Sequence, residues 1–305
     1  MKYFLYPASF EVKMNQFVYY QVSWTKRNRS RKQVSSNEVP MELAGKVIVI
    51  TGASRGIGRA LAIALAKSGC RLLLTALEED ELTSLNDDLT ASFGVSVASM
   101  PADLVKDSDR RFILSWIQKQ ENPPDILINN AGSGRFGRFA SSSWREIEQT
   151  LKLNIHVPTL LIRELIPVLS SRPQAKIVNI SSAISRLPYP GLGVYGAAKG
   201  YLSSLSETLA CELDGTSIGV LCFHPGFTET HFMSSAGMDM RKIPKLLIHK
   251  PEMVAARIVR AIENDVTWTY SDLGSRLGAF ISALLPCGIR IKWFKNLFWR
   301  LPNEK

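Results

Sequence analysis

The chain has 305 residues, of which 46% are hydrophobic and 21% are charged, a composition too apolar for an intrinsically disordered protein. Its formal net charge of +10 is concentrated at the ends, because residues 1–40 carry +5 and residues 286–305 carry +4. The stretch between them is nearly neutral, which argues against a uniformly basic nucleic-acid-binding protein.

From residue 41 to about residue 275, short apolar runs alternate with segments of helical period, as in repeated βα units. The predicted strands are 47–51, 71–76, 95–100, 125–129, 176–181, 217–223 and 267–271. The predicted helices are 57–68, 78–92, 107–120, 144–169, 195–213 and 251–264. Near-continuous apolar strands are typical of a sheet that is covered on both faces. We therefore predict an α/β fold, a single doubly wound domain whose mainly parallel sheet has about seven strands.

The first 40 residues form a basic, aromatic-rich extension that fits no βα unit. Because Met41 directly precedes the first strand, either the native product begins there or the extension belongs to it.

The C-terminal segment, residues 276–305, combines apolar and basic character. Residues 277–289 contain no charge, and residues 290–300 mix basic with aromatic side chains. A helix of about 13 residues is too short to span about 30 Å of hydrocarbon at about 1.5 Å per residue. The segment either contacts a membrane surface peripherally, folds back onto the domain or covers a subunit interface.

Cys70, Cys211, Cys222 and Cys287 are far apart and form neither a C-x-x-C pair nor a Cys/His cluster. This spacing predicts a reducing compartment and no metal site. The sequence contains neither a run of 18 uncharged apolar residues nor a signal-peptide core among its first 30 residues. We expect a cytoplasmic protein, with peripheral contact to the cytoplasmic face of a membrane as a further expectation.

The first predicted strand runs directly into a glycine-containing turn, residues 51–58 (TGASRGIG), and then into a helix. Glycines at such a turn let the backbone approach a pyrophosphate, which then rests on the N-terminus of the helix. The turn is not a P-loop, because Arg59 and Ala60 stand where Lys and Ser/Thr are required. The motif predicts dinucleotide binding, and a tight turn without a ligand is the alternative.

Several segments, taken in chain order, resemble the motifs of the short-chain dehydrogenase/reductase family. Residues 51–58 resemble its TGxxxGxG turn, residues 129–132 (NNAG) its NNAG segment, and Tyr195 with Lys199 its YxxxK pair. Ser182 precedes Tyr195 by 13 residues, which is the usual spacing of the family. The resemblance covers about residues 42–265 and implies a Rossmann domain that binds NAD(P).

The resemblance implies four catalytic residues, Asn154, Ser182, Tyr195 and Lys199. Residues four apart on a helix share a face, so Lys199 is expected to lower the pKa of the Tyr195 phenol and make it a proton donor. Ser182 is expected to donate a hydrogen bond to the substrate oxygen, and Asn154 to hold a water of the proton relay. Lys199 is also expected to bind the nicotinamide ribose.

The resemblance also implies a set of cofactor-binding residues: Thr51, Gly52, Ser54, Arg55, Gly56, Ile57, Gly58, Asp103, Leu104, Asn130, Ala131, Gly132, Tyr195, Lys199, Pro225, Gly226, Thr228 and Thr230. Asp103 and Leu104 correspond to the adenine-contacting pair. Ala76 occupies the position where NAD-binding proteins place an acidic residue, and Arg55 resembles a residue that grips a 2′-phosphate. NADP(H) is therefore predicted over NAD(H), with a solvent-facing Arg55 as the alternative.

The substrate is predicted to be a small apolar carbonyl compound or alcohol. Residues 231–248 are rich in Met, Leu and Ile, and Leu187, Tyr189, Leu192 and Val194 precede Tyr195. The same residues are also consistent with a helix that packs on the domain.

The sequence thus predicts an NADP(H)-dependent oxidoreductase, and a noncatalytic dinucleotide-sensing or scaffold protein of the same fold is the alternative. The family resemblance further implies a homodimer or homotetramer joined through the helices predicted at 144–169 and 195–213. The four histidines are scattered along the chain and are not expected to take part in catalysis.

Overall fold

The computed structural model describes residues 40–238 and 243–298. Seven parallel strands form one sheet in the order β3-β2-β1-β4-β5-β6-β7. The strands are β1 (Val47–Thr51), β2 (Arg71–Ala76), β3 (Val97–Pro101), β4 (Ile126–Asn129), β5 (Ala175–Ile180), β6 (Ile218–His224) and β7 (Trp268–Tyr270). The predicted parallel sheet is confirmed, and each strand lies where the alternating pattern predicts one. Apart from Pro40, the N-terminal extension lies outside the described residues.

Helices connect consecutive strands of the parallel sheet, as βα units require. They are α1 (Gly56–Lys67), α2 (Glu79–Phe93), α3 (Asp107–Gln118), α4 (Trp144–Leu151), α5 (Val157–Ser170), α6 (Gly193–Glu212), α7 (His231–Ser235), α8 (Pro251–Glu263), α9 (Leu273–Leu284) and α10 (Cys287–Phe298). The predicted helix 144–169 is interrupted by a π-helical turn at Lys152–His156. Helices α7, α9 and α10 have no counterpart in the prediction, and α9 extends across residue 275.

The core has two apolar layers, one on each face of the sheet. On one face, residues of α1, α2 and α8 such as Leu61, Leu85 and Ile258 pack against the sheet. On the other face, residues of α3 and α5 such as Ile113 and Leu161 do the same. Because both faces are covered, a ligand has access mainly at the carboxyl edge of the strands, where the loops carry the motif residues.

Within residues 40–238 and 243–298, the helices are all too short or too polar to cross a bilayer.

Candidate active site

The turn between β1 and α1 is built on close backbone approaches that only glycine permits. Gly52 and Gly56 adopt φ angles of +66° and +55°, in the left-handed region. A Cβ placed on Gly58 would lie 2.1 Å from the carbonyl oxygen of Gly52. The N-terminus of α1 therefore lies directly against the turn, as the predicted pyrophosphate site requires.

Thr51 and Asn130 join this turn to the loop after β4. The Asn130 side-chain amide donates to the carbonyl oxygens of Thr51 and Gly52 at 2.9 and 3.0 Å. In return, the Thr51 hydroxyl accepts from the backbone N–H groups of Asn130 and Ala131 at 3.1 and 3.0 Å. These polar atoms are used within the protein, so both residues fix the shape of the turn.

The π-helical turn after α4 carries Asn154, which is fully buried. Its Nδ2 donates to the carbonyl oxygens of Ser133 and Thr150 at 2.6 and 2.8 Å. Its Oδ1 has no hydrogen-bond partner. A Cβ placed on Gly132 would lie 2.8 Å from this oxygen and 3.2 Å from the Nζ of Lys199, so both atoms border the same space next to Gly132. Asn154 thus presents an unused acceptor beside the Lys199 ammonium, and π-turns are frequent at functional sites.

Ser182 and Tyr195 meet at the end of β5. Tyr195, on the first turns of α6, is hydrogen-bonded to Ser182, whose hydroxyl also accepts from the backbone N–H of Ile184 at 3.4 Å. The Tyr195 ring packs on Phe232 with ring centroids 5.0 Å apart. Burial raises the pKa of Tyr195 to about 12, although the bond with Ser182 acts in the opposite direction.

Lys199 lies one helical turn beyond Tyr195 and is 3% exposed. Its Nζ donates to the carbonyl oxygen of Ile180 at 2.9 Å and lies 5.7 Å from the centroid of the Tyr195 ring. Burial lowers the pKa of Lys199 to about 8. The expectation that Lys199 lowers the pKa of Tyr195 is wrong for this structure, because burial dominates both groups.

A buried network of polar side chains binds the backbone carbonyl group of Lys199. The hydroxyls of Ser181 and Ser203 both donate to the Lys199 carbonyl oxygen, at 3.0 and 2.9 Å. The Ser203 hydroxyl also lies 3.0 Å from Nε2 of His224, and burial lowers the pKa of His224 to about 3. His224 is therefore neutral near pH 7 and serves to position α6 against β6.

One cavity of about 590 Å³ collects most of the predicted site residues. Its walls include Gly52, Ser54, Arg55, Gly56, Ile57, Asn130, Ala131, Gly132, Ser182, Tyr195, Lys199, Pro225, Gly226, Thr228 and Thr230. Thr51, Gly58, Asp103, Leu104 and Asn154 are outside these walls. Asp103 instead caps its own turn, with its Oδ1 accepting from the N–H of Val105 at 3.0 Å, and Leu104 is in the core.

Part of the cavity wall is apolar. Of the residues predicted to meet the substrate, Leu187, Tyr189, Leu192, Phe232, Met233, Met238 and Leu247 line it. Val194 lines a separate, smaller cavity, and Leu246 is 90% exposed. Met240 is outside the described residues.

Helix α9 contributes a wall that the sequence reasoning missed. The hydroxyl of Ser271 accepts from the N–H of Gly226 at 2.7 Å, and Asp272 accepts from the hydroxyls of Ser271 and Ser275 at 2.7 and 2.8 Å. His249 Nε2 lies 3.0 Å from the same carboxylate. Asp272 and Ser275 also line the cavity. The only sequence signal was the Asp-x-x-Ser spacing, which is typical of a helix N-cap.

Arg55, the predicted phosphate-binding residue, is already paired with two carboxylates. Its Nε and one terminal nitrogen donate to the two oxygens of Glu81, and the other terminal nitrogen donates to Glu78 at 3.2 Å. Glu78 also accepts from the Ser54 hydroxyl at 2.8 Å. Glu78 lines the cavity, and both acids were missed by the sequence reasoning.

In the described part of the chain, no group of three or more His, Cys, Asp or Glu side chains is arranged to hold a metal ion. The four cysteines are free.

Comparison with known proteins agrees with this geometry. The family model described as short chain dehydrogenase matches residues 46–241. The glycine betaine reductase ATRR of Emericella nidulans is 33% identical over 245 residues, which cover 78% of this chain and 19% of that protein. A short chain dehydrogenase of Pseudocercospora fijiensis is 30% identical, with 62% of each chain covered. The chain therefore spans about a fifth and about three fifths of the lengths of these two relatives. The ketoacyl reductase HetN of Nostoc sp. is 33% identical over 229 residues, covering 74% of this chain and 78% of the relative.

Solved structures show the same fold. A short-chain dehydrogenase from Sphingobium yanoikuyae, in complex with NADPH, is 27% identical to this chain and superposes with a TM-score of 0.72. The superposition covers 85% of this chain and 98% of that protein. A short chain dehydrogenase/reductase from Burkholderia phymatum, in complex with NAD, has a TM-score of 0.71 at 24% identity, with 87% of this chain and 99% of that chain covered. At that identity the second likeness concerns the fold alone.

Proposed function

The chain belongs to the short-chain dehydrogenase/reductase family of oxidoreductases, and from this premise we propose that it interconverts a carbonyl and an alcohol with NADP(H). The observation that carries the proposal is the meeting of Ser182, Tyr195 and Lys199 on the wall of one cavity that begins at the glycine turn. The residues present fit a dinucleotide, because one cavity is lined both by the glycine turn at the N-terminus of α1 and by Ser182, Tyr195 and Lys199.

In the proposed reaction, the bound nicotinamide supplies the hydride for reduction or accepts it for oxidation. Ser182 donates a hydrogen bond to the carbonyl oxygen and holds it beside Tyr195. The Tyr195 hydroxyl gives its proton to that oxygen during reduction and takes it back during oxidation. Lys199, whose Nζ is held by the carbonyl oxygen of Ile180 on the cavity wall, binds the ribose. The free acceptor of Asn154 holds a water through which the proton is replaced.

The proposed preference for NADP(H) depends on Arg55. Its guanidinium lines the cavity near the end of β2, where Ala76 is neutral and Leu77 is 64% exposed. A guanidinium binds a phosphate through charge-assisted hydrogen bonds, which are stronger than neutral ones.

The proposed substrate is a small apolar ketone or alcohol of lipid-like character. Phe232 packs on the Tyr195 ring, and Met233 and Met238 form an adaptable surface beside it. A substrate carbonyl bound to Ser182 would therefore have its apolar part against these side chains.

The test is an assay of NADPH oxidation over a panel of apolar ketones, with Tyr195→Phe as the matched variant. Phenylalanine keeps the contact with Phe232 and removes only the hydroxyl, so we expect turnover to fall by about 10²–10⁴-fold while NADPH binding is kept. Turnover within a few-fold of the wild type would refute the role of Tyr195. If NADPH binds but no ketone or alcohol of the panel is turned over, the alternative of a noncatalytic dinucleotide-sensing protein is favoured.

We also propose peripheral contact with an anionic membrane, on its cytoplasmic face, through α9 and α10. Leu273, Leu277, Phe280, Ile281 and Leu284 form one exposed apolar stripe along α9. The sequence from residue 273 to residue 298 contains basic residues and no acidic one, which complements anionic headgroups. Trp299 and Arg300, part of the same expectation, lie outside the described residues.

Because α9 lines the cavity, ending the chain near residue 275 would also damage the site, so point variants are the better test. We expect Leu277→Glu with Phe280→Glu to abolish co-sedimentation with anionic vesicles at low salt. Phe112→Glu, on the exposed surface of α3, is the control and should leave it unchanged. If the wild-type chain does not sediment with anionic vesicles, the membrane contact is refuted. If the double variant loses self-association instead, the stripe is a subunit interface.

A further inference from the structure

Arg55 lies between the cavity and a second, shallower depression. The main cavity is lined by Ser54, Arg55 and Glu78, and the depression is lined by Arg55 together with Glu81. Glu78 is the N-cap residue of α2 and Glu81 is in its first turn. The beginning of α2 therefore places two carboxylates within hydrogen-bonding distance of the Arg55 guanidinium.

The contacts with Glu81 occupy one of the two donor pairs with which Arg55 can bind a phosphate. The Nε and the terminal nitrogen that donate to Glu81 form a planar pair, with which arginine binds a carboxylate or a phosphate in two parallel bonds. The remaining terminal nitrogen donates to Glu78. A phosphate on the adenosine ribose must therefore replace Glu81 to receive the same pair of bonds.

The charge of Glu81 favours its pairing with Arg55, as the geometry of their hydrogen bonds does. The hydrogen bonds from Arg55 hold the pKa of Glu81 below its ordinary value, so the carboxylate is ionised near pH 7. The ionised carboxylate therefore competes with a 2′-phosphate for the same two donors of Arg55. An unmodified ribose carries no phosphate that requires them.

We infer that Glu81 is a specificity-determining residue that withholds Arg55 from the 2′-phosphate and so keeps NAD(H) competitive with NADP(H). The inference rests on the proposed function, because it concerns the cofactor of the same site. The preference for NADP(H) then depends on a small difference in free energy between Arg55 paired with Glu81 and Arg55 paired with the 2′-phosphate.

The ion pair is partly exposed, with side-chain exposures of 37% for Arg55 and 41% for Glu81, so the effect is modest. Exposed pairs contribute up to about 1 kcal/mol, which corresponds to about a fivefold change in an equilibrium constant. Freeing Arg55 is therefore expected to strengthen binding of a 2′-phosphate by about fivefold.

The test measures binding by calorimetry on the full chain, without any turnover. The probes are 2′,5′-ADP and 5′-AMP, which differ only by the 2′-phosphate, followed by NADPH and NADH. We expect Glu81→Gln to bind 2′,5′-ADP about fivefold more tightly and 5′-AMP within twofold of the wild type. Glu79→Gln is the matched control, because it removes the same charge from the same helix turn without removing a partner of Arg55.

A second pair of variants separates release of Arg55 from simple loss of negative charge. In an Arg55→Ala background, Glu81→Gln is expected to change 2′,5′-ADP affinity by less than twofold. A gain that persists without Arg55, or one reproduced by Glu79→Gln, would overturn the inference. So would equal changes for both probes. Failure of the wild type to bind NADPH or NADH at all would instead refute the proposed function.

Discussion

Lys199 is expected to give the protein a distinctive dependence of stability on pH, which Lys199→Met would remove. Its ammonium is buried, and burial lowers its pKa from 10.5 to about 8. The unfolded chain keeps the ordinary value, so between about pH 8 and pH 10.5 only the unfolded state binds this proton. Stability rises with pH wherever the unfolded state binds more protons.

The size of the change in free energy of unfolding follows from the shift in the pKa of Lys199. One pKa unit corresponds to about 1.36 kcal/mol, so keeping the ammonium buried costs roughly 3 kcal/mol at pH 7. Most of that cost disappears by pH 10, where the folded state holds a neutral amine. Relative to Lys199→Met, the wild type should therefore gain about 2 kcal/mol in free energy of unfolding between pH 7 and pH 10. The lost hydrogen bond to the carbonyl of Ile180 is common to both pH values and drops out of this difference.

The assay is urea unfolding of both proteins at pH 7, 8, 9 and 10. The other titrating side chains are present in both proteins, and burial dominates the pKa of Cys222, which Lys199 affects only secondarily, so the difference between the two curves is interpreted. Lys106→Met is the control, because the Lys106 side chain is 67% exposed and should give a difference that does not vary with pH. If the curves of the wild type and Lys199→Met are parallel over this range, the pKa of Lys199 is not lowered in the folded state and the reasoning fails.

The sheet could be predicted from the sequence because its strands are buried on both faces. Strands β1 and β2 consist mostly of apolar residues, and glycines or helix-forming segments bound them on each side. The proposed catalytic residues are implied by the resemblance to the family motifs, and the fold brings Ser182, Tyr195 and Lys199 to one cavity. Their electrostatics could not be predicted, because the i, i+4 spacing of Tyr195 and Lys199 gives their proximity but not the burial that dominates both pKa values.

The π-helical turn escaped prediction for a physical reason. One extra residue in a helical turn shifts the apolar period slightly, so residues 144–169 still match a continuous helix. The consequence is local, since the turn is what directs Asn154 inward.

Helix α9 was not predicted as part of the site because its apolar stripe faces outward, so periodicity alone could not assign it to the cavity wall.

The pairing of Arg55 with Glu78 and Glu81 was missed for a different reason. Acidic residues at 78–81 are what the positive end of any helix favours, and only the fold shows that they also reach Arg55.

Two predictions remain, on assembly and on the turn. Light scattering at micromolar concentration is expected to give a dimer or tetramer, because the family resemblance implies association through α4, α5 and α6. A monomer throughout that range would refute this expectation. Gly58→Ala is expected to abolish NADPH binding and to lower the free energy of unfolding by about 2 kcal/mol, within the range measured for overpacked sites. An added Cβ at Gly58 would lie 2.1 Å from the Gly52 oxygen and 2.6 Å from the Asn130 amide nitrogen, so the turn must open and the bond from Asn130 to Gly52 must break. Gly288→Ala is the control, because its added Cβ meets nothing within 4 Å. If calorimetry finds the wild-type affinity for NADPH in Gly58→Ala, the close packing of α1 on the turn is not what shapes the dinucleotide site.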